Sequence, residues 1–190
     1  MPDGPQPLLL RRLRAVHEAL RDAGFDHAVG GAIALAVHVL EPRFTADIDL
    51  NVMADPEHPD TMLACLPEEI RIPDDAWRTI ARDGQIRLIW PSPDTPVDLF
   101  LPQHPTYHAL VAERAEPVDF LGTDIKVMTA TDLMVFKVLF DRSKDWVDIE
   151  ALLENGAGDV TEAIGWLTEF LGTDPRIARL SALAREIQQR

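Results

Sequence analysis

Gly30-Gly31-Ala32-Ile33-Ala34-Leu35 and, one helix length further on, Arg43-Phe44-Thr45-Ala46-Asp47-Ile48-Asp49-Leu50 are the stretches on which the fold turns. The glycine pair follows Phe25 to Val29, a short strand candidate. It opens Ala32 to Leu40, a run of good helix formers closed by Pro42. Ile48 to Met53 then alternates, with Ile48, Leu50 and Val52 on one face and Asp47, Asp49 and Asn51 on the other, which is the period of a strand. The order strand, Gly-Gly, helix, strand sets the start of a helix beside two carboxylates that leave one strand face. Glycine has no Cβ to block a close approach. A helix N-terminus offers unpaired N–H groups and partial positive charge to a phosphate. Two acids at i and i+2 are spaced to share one or two divalent cations.

A third acid extends the pattern. Asp98 stands alone in the apolar run Pro96-Val97-Asp98-Leu99-Phe100. If that strand neighbours Ile48–Val52, three carboxylates converge. A two-metal phosphoryl-transfer site needs such a set, with ions about 3.5–4 Å apart. Asp98 is then the natural base or metal-bound activator of an acceptor hydroxyl.

The helix expected over Thr131–Asp141 is apolar almost all round, and Lys137 is the one charge in its middle. A buried lysine needs an anionic partner. A nucleotide phosphate or a catalytic carboxylate would serve, and a side chain reaching the surface is the plainer alternative. Thr129-Ala130-Thr131-Asp132 resembles a capping box at its start. Beyond it, Asp145 and Asp148 share a helix face, Lys144 is spaced to pair with Asp148, and Trp146, Ile149 and Leu153 form the core-facing stripe. Arg43 and Thr45 are placed to orient a phosphate or an aspartate, and Arg43 equally reads as a surface residue. His38, His104 and His108 read as core, rim or loop histidines rather than catalytic ones.

Around these motifs the chain reads as α+β. A helix is expected over Leu8–Ala23, one or two short helices within 56–82, and strands at Gln85–Trp90 and Pro96–Leu101 around the turn Pro91-Ser92-Pro93-Asp94. A helix over Tyr107–Arg114, a hairpin around Gly122-Thr123 and four helices over 130–141, 144–154, 159–171 and 175–188 complete the reading. The layout divides into a core, 1–128, with an N-terminal helix, and a helical segment, 129–190. Its 190 residues, 46% hydrophobic and 26% charged, suit one domain or one compact domain with a short appendage. No apolar run approaches membrane-spanning length, and Met1-Pro2-Asp3-Gly4-Pro5 lacks the pattern of a signal peptide, so a cytoplasmic protein without membrane partners is expected. The single cysteine, Cys65, excludes an internal disulfide and reads as a half-buried small residue. A net charge of −14 argues against broad nucleic-acid binding. The arginines at 11, 12 and 14, and those at 176, 179, 185 and 190, read as solvated helix faces.

The Gly30-Gly31 to Leu50 motif, His38 included, resembles the first motif of the AbiEii/AbiGii-type nucleotidyltransferases, members of the DNA polymerase β-like superfamily. Asp132-Leu133, Lys137 and Asp141-Arg142-Ser143-Lys144-Asp145-Trp146-Val147-Asp148-Ile149 resemble that family's helical motif, and Asp98 matches its third carboxylate. The similarity spans about residues 25–153. It implies a nucleotidyltransferase fold: a short mixed sheet with flanking helices, and a C-terminal helical segment completing the nucleotide site. It implies that Gly30 and Gly31 contact the triphosphate, that Asp47 and Asp49, with Asp98, bind Mg²⁺ or Mn²⁺, and that Asp98 activates the acceptor. Lys137 and Asp145 would complete the nucleotide site, with Arg43, Thr45 and Asp148 beside them. The implied reaction moves an NMP from an NTP to an RNA, protein or small-molecule acceptor, in some relatives as the toxin of a toxin–antitoxin pair with an antitoxin protein as partner. A nucleotidyltransferase fold that binds a nucleotide or docks a partner without chemistry is the alternative.

Overall fold

The computed structural model describes residues 7–190, so the Met1–Pro5 start lies outside the described residues. In chain order the elements are α1 (Leu8–Asp22), β1 (His27–Val29), α2 (Gly31–His38), β2 (Ile48–Val52), α3 (Asp60–Cys65), α4 (Ala76–Asp83), β3 (Gln85–Trp90) and β4 (Thr95–Phe100), then α5 (Pro105–Arg114), β5 (Glu116–Asp119), β6 (Asp124–Val127), α6 (Ala130–Phe140), α7 (Ser143–Glu154), α8 (Val160–Leu171) and α9 (Pro175–Gln188). The expected elements are present, with ends shifted by a residue or two. The α+β reading is therefore what the structure has.

The chain divides into two compact units. The first holds the residues up to Ile33 and Phe44–Met128, and the second holds Ala34–Arg43 and Thr129–Arg190. The second unit thus takes in the loop that carries Arg43 as well as the C-terminal helices.

All six strands lie in the first unit, in one mixed sheet of order β3-β4-β2-β1-β6-β5. β2 runs parallel to β4 and antiparallel to β1, β1 is parallel to β6, and β3–β4 and β5–β6 are antiparallel hairpins. The alternation read from the sequence is the pleat of β2: Ile48, Leu50 and Val52 are buried in the core. Leu13, Val16 and Leu20, spaced three and four apart on α1, are fully buried with them. Arg12 departs from the expected solvated face. It is buried, and its guanidinium donates to the carbonyl oxygens of Trp90, Pro91 and Pro93 at 3.3, 2.7 and 2.6 Å, tying α1 to the β3–β4 turn.

In the second unit, Thr129 caps α6 by accepting from the Asp132 amide at 3.2 Å. Trp146, Ile149 and Leu152 form the buried stripe of α7, so Leu152 takes the place expected for Leu153. Among the described residues no helix is long and apolar enough to cross a membrane.

Candidate active site

The sheet register aligns the acids. Asp49 on β2 is the direct partner of Asp98 on β4, and Asp98 is the direct partner of Arg87 on β3. Register partners share a face, so Arg87, Asp98 and Asp49 form a row across three neighbouring strands. Arg87 grips Asp98 with two parallel bonds, Nε to Oδ1 at 2.8 Å and Nη2 to Oδ2 at 2.6 Å, and the same Nη2 stands 3.4 Å from Asp47 Oδ2. The hydrogen bond to Asp98 does most to hold the guanidinium above its usual range. Burial opposes it, and the charges of Asp98, Asp47 and Asp49 reinforce it. The strand condition set by the sequence is met, and the three carboxylates bear on one cation. Arg87 itself was missed by sequence reasoning. The signal was there: counting outward from the Trp90–Thr95 pair at the turn brings Arg87 opposite Asp98.

The glycines sit where β1 hands over to α2. Gly30 N–H donates to the Asp49 carbonyl at 2.9 Å. Gly31 has φ +56°, and a Cβ there would collide with the Asp49 carboxylate. A Cβ on Gly30 would meet Met128 Sδ at 3.1 Å and Asn51 Nδ2 at 3.3 Å. Gly31 is therefore favoured by its left-handed φ and the packing of Asp49, and Gly30 leaves Asn51 and Met128 their room. Asn51, on the Asp49 face of β2, is buried. Its Nδ2 lies 3.0 Å from Met128 Sδ, while Oδ1 has no hydrogen-bond partner. Thr45 Oγ1 accepts from the Asp47 amide at 3.2 Å, a local bond at the entry to β2.

The remaining candidates cluster in the second unit. Lys137 is only 4% exposed, and its Nζ donates to Asp148 Oδ2 at 2.6 Å with Asp145 Oδ1 at 3.9 Å. Arg43 binds the same Asp148 carboxylate through Nε at 2.9 Å and Nη2 at 3.1 Å. Asp145 is held by Arg142 at 2.6 Å. The anion facing Lys137 is thus a helix aspartate, and the pairing of Lys144 with Asp148 expected from spacing gives way to these two cations. Burial alone would raise the Asp148 pKa, but the bonds from Arg43 and Lys137 outweigh it and leave the group below its usual value.

Of the three histidines read as core, rim or loop residues, His38 is half-buried and His104 exposed. His108 is buried with Nδ1 3.1 Å from the His104 carbonyl. Cys65 is half-buried, and burial raises its thiol pKa. At the opposite end of β1 from the glycines, a cleft of about 690 Å³ is lined by residues that include His17, His27, Arg14 and Lys126.

Hard carboxylate oxygens suit Mg²⁺ or Mn²⁺, so the donor chemistry of Asp47, Asp49 and Asp98 fits such an ion. Among the described residues no three His, Cys, Asp or Glu side chains stand as a ready ion cage. The cation between Asp98 and Asp47 is Arg87.

No protein-family model matches the chain, and no curated protein is similar to it in sequence. Solved structures do resemble it. JHP933 from Helicobacter pylori is 14% identical, with a TM-score of 0.48 over 97% of this chain and 94% of that one. The antibiotic-resistance factor ANT(2'')-Ia is 13% identical, with a TM-score of 0.45 over 93% and 91%. An antigenic nucleotidyltransferase-like protein from Paracoccidioides brasiliensis is 16% identical, with a TM-score of 0.53 over 98% of this chain and 91% of that one. Through that last likeness the six-stranded mixed sheet and its helices are a nucleotidyltransferase-like fold.

Proposed function

We propose that the protein is a metal-dependent nucleotidyltransferase that moves an NMP from an NTP to an acceptor hydroxyl or phosphate. The observation that carries this reading is the Asp49–Asp98 register pair, with the Asp49 carboxylate packed on Gly31 at the start of α2. Structural acids are seldom set in one row across parallel strands beside a helix N-terminus. Asp47, Asp49 and Asp98 would hold Mg²⁺ or Mn²⁺, which when bound supplies neutralisation of the triphosphate and polarisation of the reacting oxygens. The Gly30-Gly31 turn and the start of α2 suit the phosphates, and Asp98 accepts the proton of the acceptor hydroxyl. Lys137, Asp145, Asp148 and Arg43 contribute to nucleotide binding by the resemblance to the AbiEii/AbiGii type.

The acceptor proposed is a small molecule. The net charge is −14, and Arg14, Arg82, Arg176 and Arg190 are each taken up by neighbouring carboxylates, which leaves little to attract an RNA backbone. An RNA or protein acceptor, with an antitoxin partner, is the rival within the same chemistry. The second reading is a non-catalytic nucleotide-binding or partner-docking module. The observation that favours it is the Arg87 fork on Asp98, which satisfies that acid without a metal.

The test is incubation with each labelled NTP, Mg²⁺ and, in turn, an aminoglycoside panel, bulk tRNA and the protein itself. Transfer lost in Asp49→Ala supports the first reading. Pyrophosphate release that persists in Asp49→Ala sinks the metal assignment. NTP binding without turnover on any acceptor supports the module.

A further inference from the structure

We infer that Arg87 is a resident counter-ion of the carboxylate site, which a divalent cation must displace before Asp98 is free to act. The inference rests on the metal-dependent reading above. Three observations carry it.

The guanidinium lies where a bridging cation would neutralise these acids. It is bidentate on Asp98 and 3.4 Å from Asp47, and it feels the charge of Asp49. A fork of this kind occupies both oxygens of a carboxylate. Asp98 held this way has one lone pair of each oxygen committed to an N–H donor, and the guanidinium charge stands where a metal ion would approach.

Arg87 also has somewhere to go. β3 is the edge strand of the sheet, and the Arg87 side chain is 54% exposed against 13% for Asp98. The exposed guanidinium lies next to solvent that can take up its charge when it leaves Asp98. Asp98, on the neighbouring strand, stays in place.

Finally, the arrangement is enforced by register rather than by a chance rotamer. Arg87 and Asp98 are direct cross-strand partners, as are Asp98 and Asp49. Without a cation the row would bring like charges together on adjacent strands, which destabilises a sheet. Arg87 relieves that repulsion when no metal is bound. A divalent ion and the guanidinium compete for the same two carboxylates, Asp98 and Asp47, and their like charges disfavour holding both at once. Metal loading and release of Asp98 are therefore one event. Arg87 is a positioning residue. It acts through Asp98, and once displaced it remains a cation at the rim of the site.

The experiment is a Mn²⁺ titration followed by the paramagnetic resonance of free Mn²⁺, on the wild type, Arg87→Gln, Arg87→Lys, Asp49→Asn and the Arg87→Gln/Asp49→Asn double variant. Arg87→Gln is expected to bind Mn²⁺ about tenfold or more tightly, with the gain abolished by Asp49→Asn. Arg87→Lys, which keeps the charge and loses the fork, is expected between the two. In the wild type the ¹⁵N–¹H signal of Arg87 Nε is expected to move on addition of Mg²⁺ as the bond to Asp98 opens. Equal Mn²⁺ affinity in wild type and Arg87→Gln, at a site lost in Asp49→Asn, overturns the inference and leaves the metal-dependent reading standing. Mn²⁺ binding indifferent to Asp49→Asn in every background overturns that reading itself. Should Arg87→Gln fold poorly, the Arg87 Nε signal and Arg87→Lys decide alone: an unmoved signal with unchanged affinity rejects the inference.

Discussion

Lys137 on α6 and Asp148 on α7 meet at 2.6 Å, and both side chains are almost wholly shut from solvent. Removing Lys137 leaves the buried Asp148 carboxylate to Arg43 alone. Lys137→Met is therefore expected to cost less than the about 3–5 kcal/mol of a wholly unpaired buried charge, read as the shift in urea midpoint. The double variant Lys137→Met/Asp148→Leu is expected to recover part of the loss, because replacing a buried pair by apolar groups is far milder than breaking it. Equal losses in the single and double variants would show that shape, rather than charge, fixes α6 on α7.

Acid should loosen the same contact. The folded Asp148 titrates below the ordinary value of 3.8 that it has in the unfolded chain. Its contribution is therefore complete above that value and falls away as pH drops through the lower, folded one. The wild type should lose stability steeply on that limb in a thermal series, and Asp148→Asn should lose less there than it does near neutrality.

His17 and His27 set the limb nearer neutrality. Their ring nitrogens are 2.8 Å apart, and His27 Nδ1 lies 2.8 Å from the Phe25 carbonyl. Burial lowers both pKa values below 6.5, and the neighbouring His27 charge lowers His17 further. Between the lowered values and 6.5 the unfolded chain binds more protons, so stability rises with pH there, is complete above 6.5 and is lost on acidification. Urea midpoints measured from about pH 7.5 down to about pH 5 should fall for the wild type and fall less for His17→Asn, in which His27 and the buried His108 keep their lowered values. A wild-type midpoint independent of pH across that range would contradict the lowered values.

The fold was legible because its governing signals are local. Alternation placed β2, the turn signal at Pro91–Asp94 placed β3 and β4 on either side of it, and Gly30, Gly31 and Pro42 bracketed α2. Asp98 joined Asp49 because the strand that carries it is long enough to pair, and parallel register then fixed the partners. What escaped the sequence was the ionic bookkeeping. Lys137 plainly needed an anion, but periodicity along one helix cannot say that Asp148 on the next would supply it, or that Arg43 would join from a distant loop. Arg12 carries the same lesson. Its carbonyl partners at the β3–β4 turn are main-chain atoms, which leave no mark in side-chain pattern. Arg87 escaped because Gln85–Trp90 was read only as a strand beside a turn, without the register that sets Arg87 opposite Asp98.

Gly31 gives a graded test of the glycine turn. Alanine there meets a left-handed φ of +56° and the Asp49 carboxylate together, whereas alanine at Gly24 meets φ +81° with open space around it. Gly24→Ala should cost about 1–2 kcal/mol from backbone strain alone. Gly31→Ala should cost more and also weaken Mn²⁺ binding by displacing Asp49. Equal costs at the two positions, with unchanged Mn²⁺ affinity, would show that Asp49 moves aside freely.

Asp49→Asn and Asp98→Asn should separate chemistry from sheet stability. Both are expected to lower nucleotidyl transfer about 10²- to 10⁴-fold, the range for loss of a positioned proton acceptor or ligand. Their effects on the melting temperature should differ. Asp98→Asn strips Arg87 of its bidentate partner, and because the guanidinium is about half exposed the loss is expected near 1 kcal/mol or below. Asp49→Asn removes one like charge from the row and keeps the Arg87–Asp98 fork, so its melting temperature should hold or rise slightly. Transfer rates and melting curves on the same preparations read both. A variant at position 98 that melts early yet transfers at the wild-type rate would reduce Asp98 to an ion-pair partner of Arg87 and move the proton acceptor elsewhere.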